Sequence, residues 1–228
     1  MIDTILWDLD NTIFDFSRAE RIALRKTLVE LGVEPVETTL NRYSELNDAQ
    51  WKLLELGKLT RQQVKVRRYQ LLFEELGVDA SAEQAAKLYE GYLALGHYYM
   101  DGAEEVLETL RGQYRMYLVT NGTASVQHGR VNSSNLMNYM EDMFISEEVG
   151  YDKPSNAYFD ACFARIPDFH KEHAVIVGDS LTSDIRGGIN AGVRTIWFNP
   201  RGIEPSAELS PDREIRKLSE LPELLSEL

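Results

Sequence analysis

Short runs of apolar residues recur along this chain at lengths typical of buried strands. They lie at residues 5–7, 115–119, 143–145, 174–178 and 194–198. Helical patterns separate the later runs, and strands that alternate with helices are typical of a parallel, doubly wound sheet. The sequence therefore predicts an α/β fold whose last strand ends at Phe198.

A long helical block follows the first strand. From Phe16 to Tyr99 the apolar positions keep helical spacing. Predicted helices span residues 17–31 and 39–56, a third runs from the N-cap candidate Thr60 to Gly77, and a fourth opens with a capping-box pattern at Ser81. We therefore predict an inserted all-helical domain at residues 16–99 and a core formed by residues 1–15 and 100–228.

Helices and loops of the core follow from the same patterns. A helix is predicted at residues 103–111, and another extends through Phe163, with Pro154 at its first helical position. A third closes at Gly192, and a surface helix is predicted at residues 214–228. The proline and serine content of residues 199–211 indicates a surface loop.

Charge and cysteine content narrow the function classes. The 228 residues carry a formal net charge of −13, which argues against binding to nucleic acid or to an anionic membrane surface, because both need a basic footprint. Cys162 is the only cysteine, so no intrachain disulfide and no cysteine-based zinc site can form. Since no leader-like segment is found, we expect a protein of the reducing cytoplasm.

Two carboxylates, Asp8 and Asp10, follow the first predicted strand. Residues at i and i+2 point to the same side of an extended chain, so these groups repel each other unless a cation or a shared proton lies between them. Oxygen-only ligands suit Mg²⁺. The alternative is an Asx-turn or a helix cap, which the same residue types also form.

Polar residues also follow two later strands, as Thr120 and Asp179. Ligands of an open parallel sheet bind outside the carboxyl ends of its strands, so we expect Asp8, Thr120 and Asp179 to meet at one edge. Asp179 is assigned to the metal site. Asp184 either binds the metal through water or orients its neighbours. For the hydroxyl residues between these two aspartates, helix capping is the favoured role.

An anion site is predicted beside the carboxylates. Thr120, Asn121 and Gly122 offer a hydroxyl, an amide and a backbone N–H at a predicted helix start. Lys153 places a cation next to them. Because isolated lysines are usually solvated surface groups, the functional interpretation of Lys153 depends on the residues around it.

The sequence resembles a known superfamily along essentially its whole length. The stretches DLDNT, TNG, KP and GDSLTSD resemble the four motifs of the haloacid dehalogenase superfamily of aspartate-nucleophile hydrolases. The resemblance implies a Rossmann-like core. It also implies that the helical insertion is a C1 cap, the lid that closes over the active site in this superfamily.

The resemblance further implies a two-step phosphoryl transfer. Asp8 attacks phosphorus and forms an aspartyl-phosphate, while Asp10 protonates the departing oxygen and then activates water. The implied Mg²⁺ ligands are Asp8, the backbone carbonyl of Asp10, Asp179 and, directly or through water, Asp184. The implied ligands of the phosphoryl oxygens are Thr120, Asn121, Gly122 and Lys153.

Asp10 also distinguishes between branches of this superfamily. The dehalogenase branch lacks a carboxylate two residues after the nucleophile, because a departing halide needs no proton. A carboxylate at this position therefore favours phosphate ester cleavage. Three alternatives remain open: a sugar-phosphate phosphatase, a phosphosugar mutase, and a non-catalytic scaffold that binds metal or phosphate.

The substrate class is inferred from a narrower resemblance. Residues 68–73 and 192–200 resemble bacterial nucleoside 5′-monophosphate phosphatases, which often act on pyrimidines, so UMP, dUMP or dTMP is the expected small phosphorylated metabolite. Candidates to contact the base are Asn47, Trp51, Arg67 and Arg68. The alternative is packing in the cap core for Trp51 and simple solvation for the two arginines.

Overall fold

Six parallel strands form one sheet in the part of the chain that the structure describes. The structure is a computed structural model that describes residues 1–204 and 209–228. The strands are β1 (Thr4–Trp7), β2 (Arg115–Thr120), β3 (Asp142–Ile145), β4 (Ala174–Gly178), β5 (Arg194–Phe198) and β6 (Arg213–Ile215). Their spatial order is β3-β2-β1-β4-β5-β6. The predicted α/β fold with a parallel, doubly wound sheet is confirmed.

Ten α-helices accompany these strands within the described ranges. They are α1 (Phe16–Glu30), α2 (Glu37–Glu55), α3 (Arg61–Leu76), α4 (Ala82–Leu93), α5 (Ala103–Leu110), α6 (Ala124–Asn132), α7 (Ser146–Val149), α8 (Asn156–Phe163), α9 (Arg186–Ala191) and α10 (Leu221–Ser226). A π-helical turn, Leu181–Ile185, precedes α9. None of these helices, over residues 1–204 and 209–228, has the length and apolar character that crossing a membrane requires.

The sheet buries both of its faces, as a parallel sheet with helices on each side must. Successive residues of a strand point to opposite faces, so Ile5 and Trp7 join one apolar cluster and Leu6 joins the other. Every residue of β1 is buried. Cys162 is buried in the cluster that contains Leu6.

Backbone contacts divide the chain into two compact units. One unit comprises residues 1–15 and 97–228 and contains the sheet, and the other comprises residues 16–96 and contains α1 to α4. Within the helical unit the predicted caps are present: Thr60 and Gln63 form a capping box, and Gly77 ends α3 in the left-handed conformation. The Ser81 hydroxyl accepts from the backbone N–H of Gln84 at the start of α4.

The C-terminal segment differs from its prediction. Residues 213–215 form β6, a strand that the sequence analysis missed, and the long surface helix predicted for residues 214–228 is wrong. The segment contains instead a 3-10 turn, Leu218–Glu220, and the short helix α10. Three residues are too few for a periodic signal, so only pairing with β5 shows the strand. Residues 205–208 of the predicted surface loop lie outside the described residues.

The start of α8 also differs from its prediction. Pro154 is not its first helical residue, because the N-cap is Ser155, whose hydroxyl accepts from the backbone N–H of Tyr158. The serine hydroxyl accepts a hydrogen bond from an N–H group at the helix start, which the side chain of Pro154 cannot do. The first helical residue is therefore the one directly after Ser155. The Lys153–Pro154 peptide bond is cis.

Close packing of α9 on the sheet leads to a prediction about stability. A Cβ at Gly188 would lie 2.5 Å from Cγ2 of Ile176, so we expect Gly188→Ala to destabilise the protein by about 1–3 kcal/mol through overpacking. Gly91 in α4 is the matched control: nothing lies within 4 Å of its added Cβ. Gly91→Ala should therefore stabilise by about 0.5–1 kcal/mol. Chemical denaturation measures both changes, and equal effects would contradict the packing argument.

Candidate active site

The ends of three neighbouring strands bring polar residues to one edge of the sheet. β1 lies between β2 and β4, and Trp7 is in register with Leu118 on one side and with Val177 on the other. Asp8 therefore emerges at the same level as the ends of its neighbours, as expected for parallel strands. The backbone N–H of Asp8 continues the ladder by donating to the carbonyl of Val177 at 2.9 Å.

Both carboxylate oxygens of Asp8 accept hydrogen bonds. Lys153 Nζ donates to Oδ1 at 2.7 Å, and the Thr12 hydroxyl donates to Oδ2 at 3.0 Å. Thr12 is fully buried and also accepts from the backbone N–H of Asp179 at 3.1 Å. The carboxylate plane of Asp8 is thus set from two directions, and Thr12 ties the end of β1 to the end of β4.

Lys153 is buried, and protein acceptors surround its ammonium group. Its Nζ donates to Asp8, to Oδ1 of Asp184 and to the carbonyl of Val119, each at 2.7 Å, which uses all three N–H donors of an ammonium. Asn121 holds the backbone of Lys153 through two hydrogen bonds of 2.8 and 2.9 Å. Burial alone would lower the pKa of Lys153, but the carboxylates of Asp184 and Asp8 raise it above its usual value, so the lysine is charged.

Asp184 is fully buried and is held by two donors. Lys153 binds Oδ1, and the backbone N–H of Ser180 donates to Oδ2 at 3.0 Å. A Cβ at Gly178 would lie only 2.3 Å from Oδ2 of Asp184. A glycine at the end of β4 is therefore what lets this carboxylate reach the strand ends.

The carboxylates of Asp8, Asp179 and Asp184 form a potential metal site. Each offers an oxygen, and the three oxygens lie within 4.8 Å of one another. Three carboxylates face one ammonium, that of Lys153, so two negative charges are left over. Oxygen ligands with this excess charge fit a hard divalent cation such as Mg²⁺. The residues present are thus consistent with the expected magnesium.

The pKa values of this group show the same excess of negative charge. Burial, together with the negative charge of Asp184, raises the pKa of Asp8 from 3.8 to about 7, although Lys153 acts in the opposite direction. Loss of hydration likewise raises the pKa of Asp179 well above its usual value, and Asp8 and Asp184 add to the effect. Without a further cation, the group therefore retains protons at neutral pH.

The carboxylate of Asp10 has hydrogen-bonding partners of its own. It forms an ion pair with Arg130, and Gln127 Nε2 donates to its Oδ2 at 2.9 Å. The chain turns directly after it, since Asn11 has a φ of 60°, a conformation that asparagine tolerates better than most residues. The hydrogen-bonding partners of the Asp10 carboxylate are thus Arg130 and Gln127, and the expectation that the Asp8 and Asp10 side chains face one shared cation stays a prediction.

In the predicted anion cradle the backbone N–H of Gly122 has a protein acceptor, as does that of Ala124 just beyond it. Gly122 N–H donates to the Ser146 hydroxyl at 3.3 Å, and Ala124 N–H, at the start of α6, donates to the Glu147 carboxylate at 2.6 Å. Thr120 is fully buried, and its hydroxyl accepts from Gln127 Nε2 at 2.9 Å. The binding roles given to Thr120, Asn121, Gly122 and Lys153 stay predictions.

Sequence reasoning assigned no role to Thr12, Gln127 or Arg130. Thr12 stood inside the first motif, but its two hydrogen bonds depend on the neighbouring strand. Gln127 and Arg130 are one turn apart on α6, which places both side chains on the same helix face. That spacing was the one available signal, and it does not identify Asp10, over a hundred residues earlier, as the partner.

The candidate base-contacting residues of the helical unit differ in burial. Arg68 is buried and donates to Asn47 Oδ1 at 2.7 Å, with its guanidinium 4.7 to 5.7 Å from the ring centroids of three tyrosines. Asn47 in turn donates to the buried carboxyl group of Glu20 at 2.8 Å. The alternative that Arg68 is solvated is therefore wrong. Arg67 is exposed, and Trp51 is half-buried beneath Arg61.

A family model described as haloacid dehalogenase-like hydrolase matches residues 5–198. The chain belongs to this family. The resemblance seen in the four motifs is thereby confirmed, and the helices α1 to α4 occupy the place of the cap, inserted after the first strand of the core.

Relatives within the family match the chain over nearly its full length. YfnB of Bacillus subtilis (strain 168), named as a HAD-hydrolase, is 39% identical over 98% of this chain and 95% of its own. Its crystal structure with bound magnesium matches with a TM-score of 0.94 over 98% of both chains. Two proteins named as pyrimidine 5′-nucleotidases are also similar. PynA of Streptococcus pneumoniae (strain ATCC BAA-255 / R6) is 36% identical over 97% of this chain and 94% of its own, and YjjG of Escherichia coli (strain K12) is 30% identical over 98% and 97%.

The raised pKa values predict that Mg²⁺ stabilises this hydrolase in a pH-dependent way. A carboxyl group whose pKa is higher in the folded state favours folding below its unfolded pKa, and this contribution is lost as pH rises through the folded value. For Asp8 that window runs from 3.8 to about 7. The metal-free protein should lose stability across it, and Mg²⁺, which binds the ionised groups, should raise Tm far more at about pH 8 than at about pH 5.

Thermal unfolding with and without Mg²⁺ at the two pH values measures this effect. Asp179→Asn removes one of the crowded charges, so the metal-free variant should be more stable than the natural protein at the higher pH and should respond less to Mg²⁺. An equal Mg²⁺-induced shift in Tm at both pH values would contradict the linkage.

Proposed function

We propose that this chain is a Mg²⁺-dependent phosphatase that hydrolyses pyrimidine nucleoside 5′-monophosphates such as UMP, dUMP and dTMP through an aspartyl-phosphate on Asp8. The observation that carries the proposal is the carboxylate of Asp8, oriented on both oxygens and set beside Lys153 and two further carboxylates. The substrate class is supported by the likeness to PynA and YjjG, both named as pyrimidine 5′-nucleotidases.

In the first step, an oxygen of Asp8 attacks the phosphorus of the ester. The bond from phosphorus to the ester oxygen breaks as the bond to Asp8 forms, and Asp10 transfers its proton to the leaving oxygen, so that the nucleoside departs as a neutral alcohol. Lys153 lies 2.7 Å from Asp8 and carries the positive charge that reduces repulsion between an anionic nucleophile and an anionic phosphate.

In the second step, water attacks the phosphorus of the aspartyl-phosphate. Asp10, now ionised, takes a proton from this water, the bond between phosphorus and Asp8 breaks, and inorganic phosphate leaves. Asp8 is then a carboxylate again and Asp10 is protonated, so the cycle is closed. The phosphoryl oxygens are assigned to Thr120, Lys153 and the backbone of Asn121 and Gly122.

Magnesium would be held by Asp8, Asp179 and the backbone carbonyl of Asp10, and when bound it would offset the charge of the transferring phosphoryl group. Asp184 orients Lys153 and is assigned to the metal either directly or through water. The acidic cluster and the magnesium in the YfnB crystal structure support this assignment.

A panel of phosphate esters tests the proposed activity. With Mg²⁺ present, we expect phosphate release to be faster from UMP, dUMP and dTMP than from purine nucleotides and sugar phosphates. Asp8→Asn should lower the rate at least about 10⁴-fold, because the nucleophile is lost. Asp142→Asn is the matched control: Asp142 is half exposed at the start of β3, which β2 separates from β1, and it pairs with Arg165, so its loss should leave the rate unchanged.

Each alternative gives a different result in the same assay. Release that is equally fast from sugar phosphates would overturn the nucleotide assignment and keep the phosphatase. A phosphosugar mutase would retain its aspartyl-phosphate and release little phosphate into water. No Mg²⁺-dependent release from any ester would overturn the proposed activity and favour a binding protein.

A further inference from the structure

The carboxylate of Asp10 is held by two side chains of α6. Gln127 Nε2 donates to Oδ2 at 2.9 Å, and an N–H of Arg130 donates to Oδ1 in an ion pair. Each oxygen of Asp10 thus receives one donor. Because a carboxylate has about four lone-pair sites, a lone pair on each oxygen is still available for a proton.

These two side chains are themselves fixed by further contacts. Arg130 Nη1 donates to Gln127 Oε1 at 3.0 Å, which orients the amide so that its NH₂ group faces Asp10. The same NH₂ group donates to the Thr120 hydroxyl at 2.9 Å. The guanidinium of Arg130 lies 5.3 Å from the centroid of the Phe14 ring. The network therefore joins the ends of β1 and β2 through one helix.

The side chains of this network differ in exposure, and the difference shows which side of the Asp10 carboxylate is accessible. Arg130 is 0% exposed and Gln127 is 2% exposed, whereas the side chain of Asp10 keeps 24% of its surface accessible. The carboxylate therefore accepts hydrogen bonds from the protein interior and is exposed on its other side. A proton donor for a leaving group needs this arrangement, with a fixed plane and accessible lone pairs.

Gly122 provides the space that this arrangement requires. A Cβ at position 122 would lie 2.7 Å from Gln127 Nε2 and 2.8 Å from Gln127 Cγ. Any larger residue would therefore push the amide away from Asp10 and Thr120. The glycine at this position is explained by contact with Gln127, in addition to the backbone N–H that the sequence suggested.

Stability alone is a weak explanation for the network. A buried ion pair loses so much hydration that apolar residues of similar size are often as stable or more stable. A buried arginine directed at one partly exposed carboxylate is instead the arrangement expected where orientation matters. We propose that Gln127 and Arg130 are positioning residues that hold Asp10 in line with the leaving oxygen during proton transfer. This inference rests on the proposed phosphatase function.

The proposal predicts an effect that depends on the leaving group. An alkoxide needs a proton as the P–O bond breaks, whereas p-nitrophenolate leaves as a stable anion. General acid catalysis contributes about 10²–10⁴-fold, so Gln127→Leu and Arg130→Met should each lower kcat/KM by about 10²-fold for the best nucleotide of the panel. For p-nitrophenyl phosphate the loss should stay within about threefold, because Asp8 and Lys153 are untouched.

Rapid mixing provides a second readout on the same variants. Asp10 also serves as the base for water attack, so a displaced Asp10 slows hydrolysis of the aspartyl-phosphate. The variants should therefore release one equivalent of p-nitrophenolate per active site in a burst and then turn over slowly. Arg130→Lys keeps the charge without the forked geometry and should retain more nucleotide activity than Arg130→Met.

A control separates positioning from general loss of stability. Thr195 is buried, exchanges hydrogen bonds with Asp212 and lies in β5, which β4 separates from β1 and Asp8. Thr195→Val should lower Tm and leave the ratio of the two kcat/KM values unchanged. If Arg130→Met does not fold, Gln127→Leu and Gly122→Ala test the same prediction.

The outcomes distinguish failure of this inference from failure of the proposed function. Equal losses on both substrates, or no loss on the nucleotide, would overturn the positioning role while the phosphatase stands. No Mg²⁺-dependent hydrolysis of either ester by the natural protein would overturn the proposed function itself. A selective loss on the nucleotide, together with a p-nitrophenolate burst in the variants, supports both.

Discussion

The site depends on an imbalance of buried charge at the ends of the central strands. Asp8, Asp179 and Asp184 crowd together against the single ammonium of Lys153. Such crowding is costly without a cation, as the raised pKa values of Asp8 and Asp179 show. Such an excess of buried negative charge is the arrangement expected at a site that binds a divalent cation.

The fold gives different partners to two carboxylates that are only two residues apart in the chain. Asp8 still belongs to the strand ladder and faces Lys153, whereas Asp10 directly precedes a turn of the chain and faces Arg130. The left-handed conformation of Asn11 belongs to this turn. Different partners suit the different roles proposed for the two groups, Asp8 as nucleophile and Asp10 as acid and base, because environment can assign different functions to like residues.

Much of the fold was predictable, because apolar strands and capped helices leave local signals. Residue spacing and capping residues predicted the strands that precede Asp8 and Asp179. They also predicted the caps of α3 and α4 and the helical insertion. The C-terminal strand β6 was missed because its three residues form a strand only by pairing with β5. The start of α8 was misplaced because two capping signals, Pro154 and Ser155, compete at adjacent positions.

The sequence by itself determined which groups end the buried strands, and so named Asp8, Thr120 and Asp179 as members of one site. Parallel strands bring their ends to the same edge, and no further information is needed for that step. Only the tertiary structure decided how each group is held: that Lys153 bridges Asp8 and Asp184, and that Arg130 and Gln127 hold Asp10. These contacts join residues about 30 to 145 positions apart, and side-chain partners at such separations follow from packing and from charge balance, which no local pattern records.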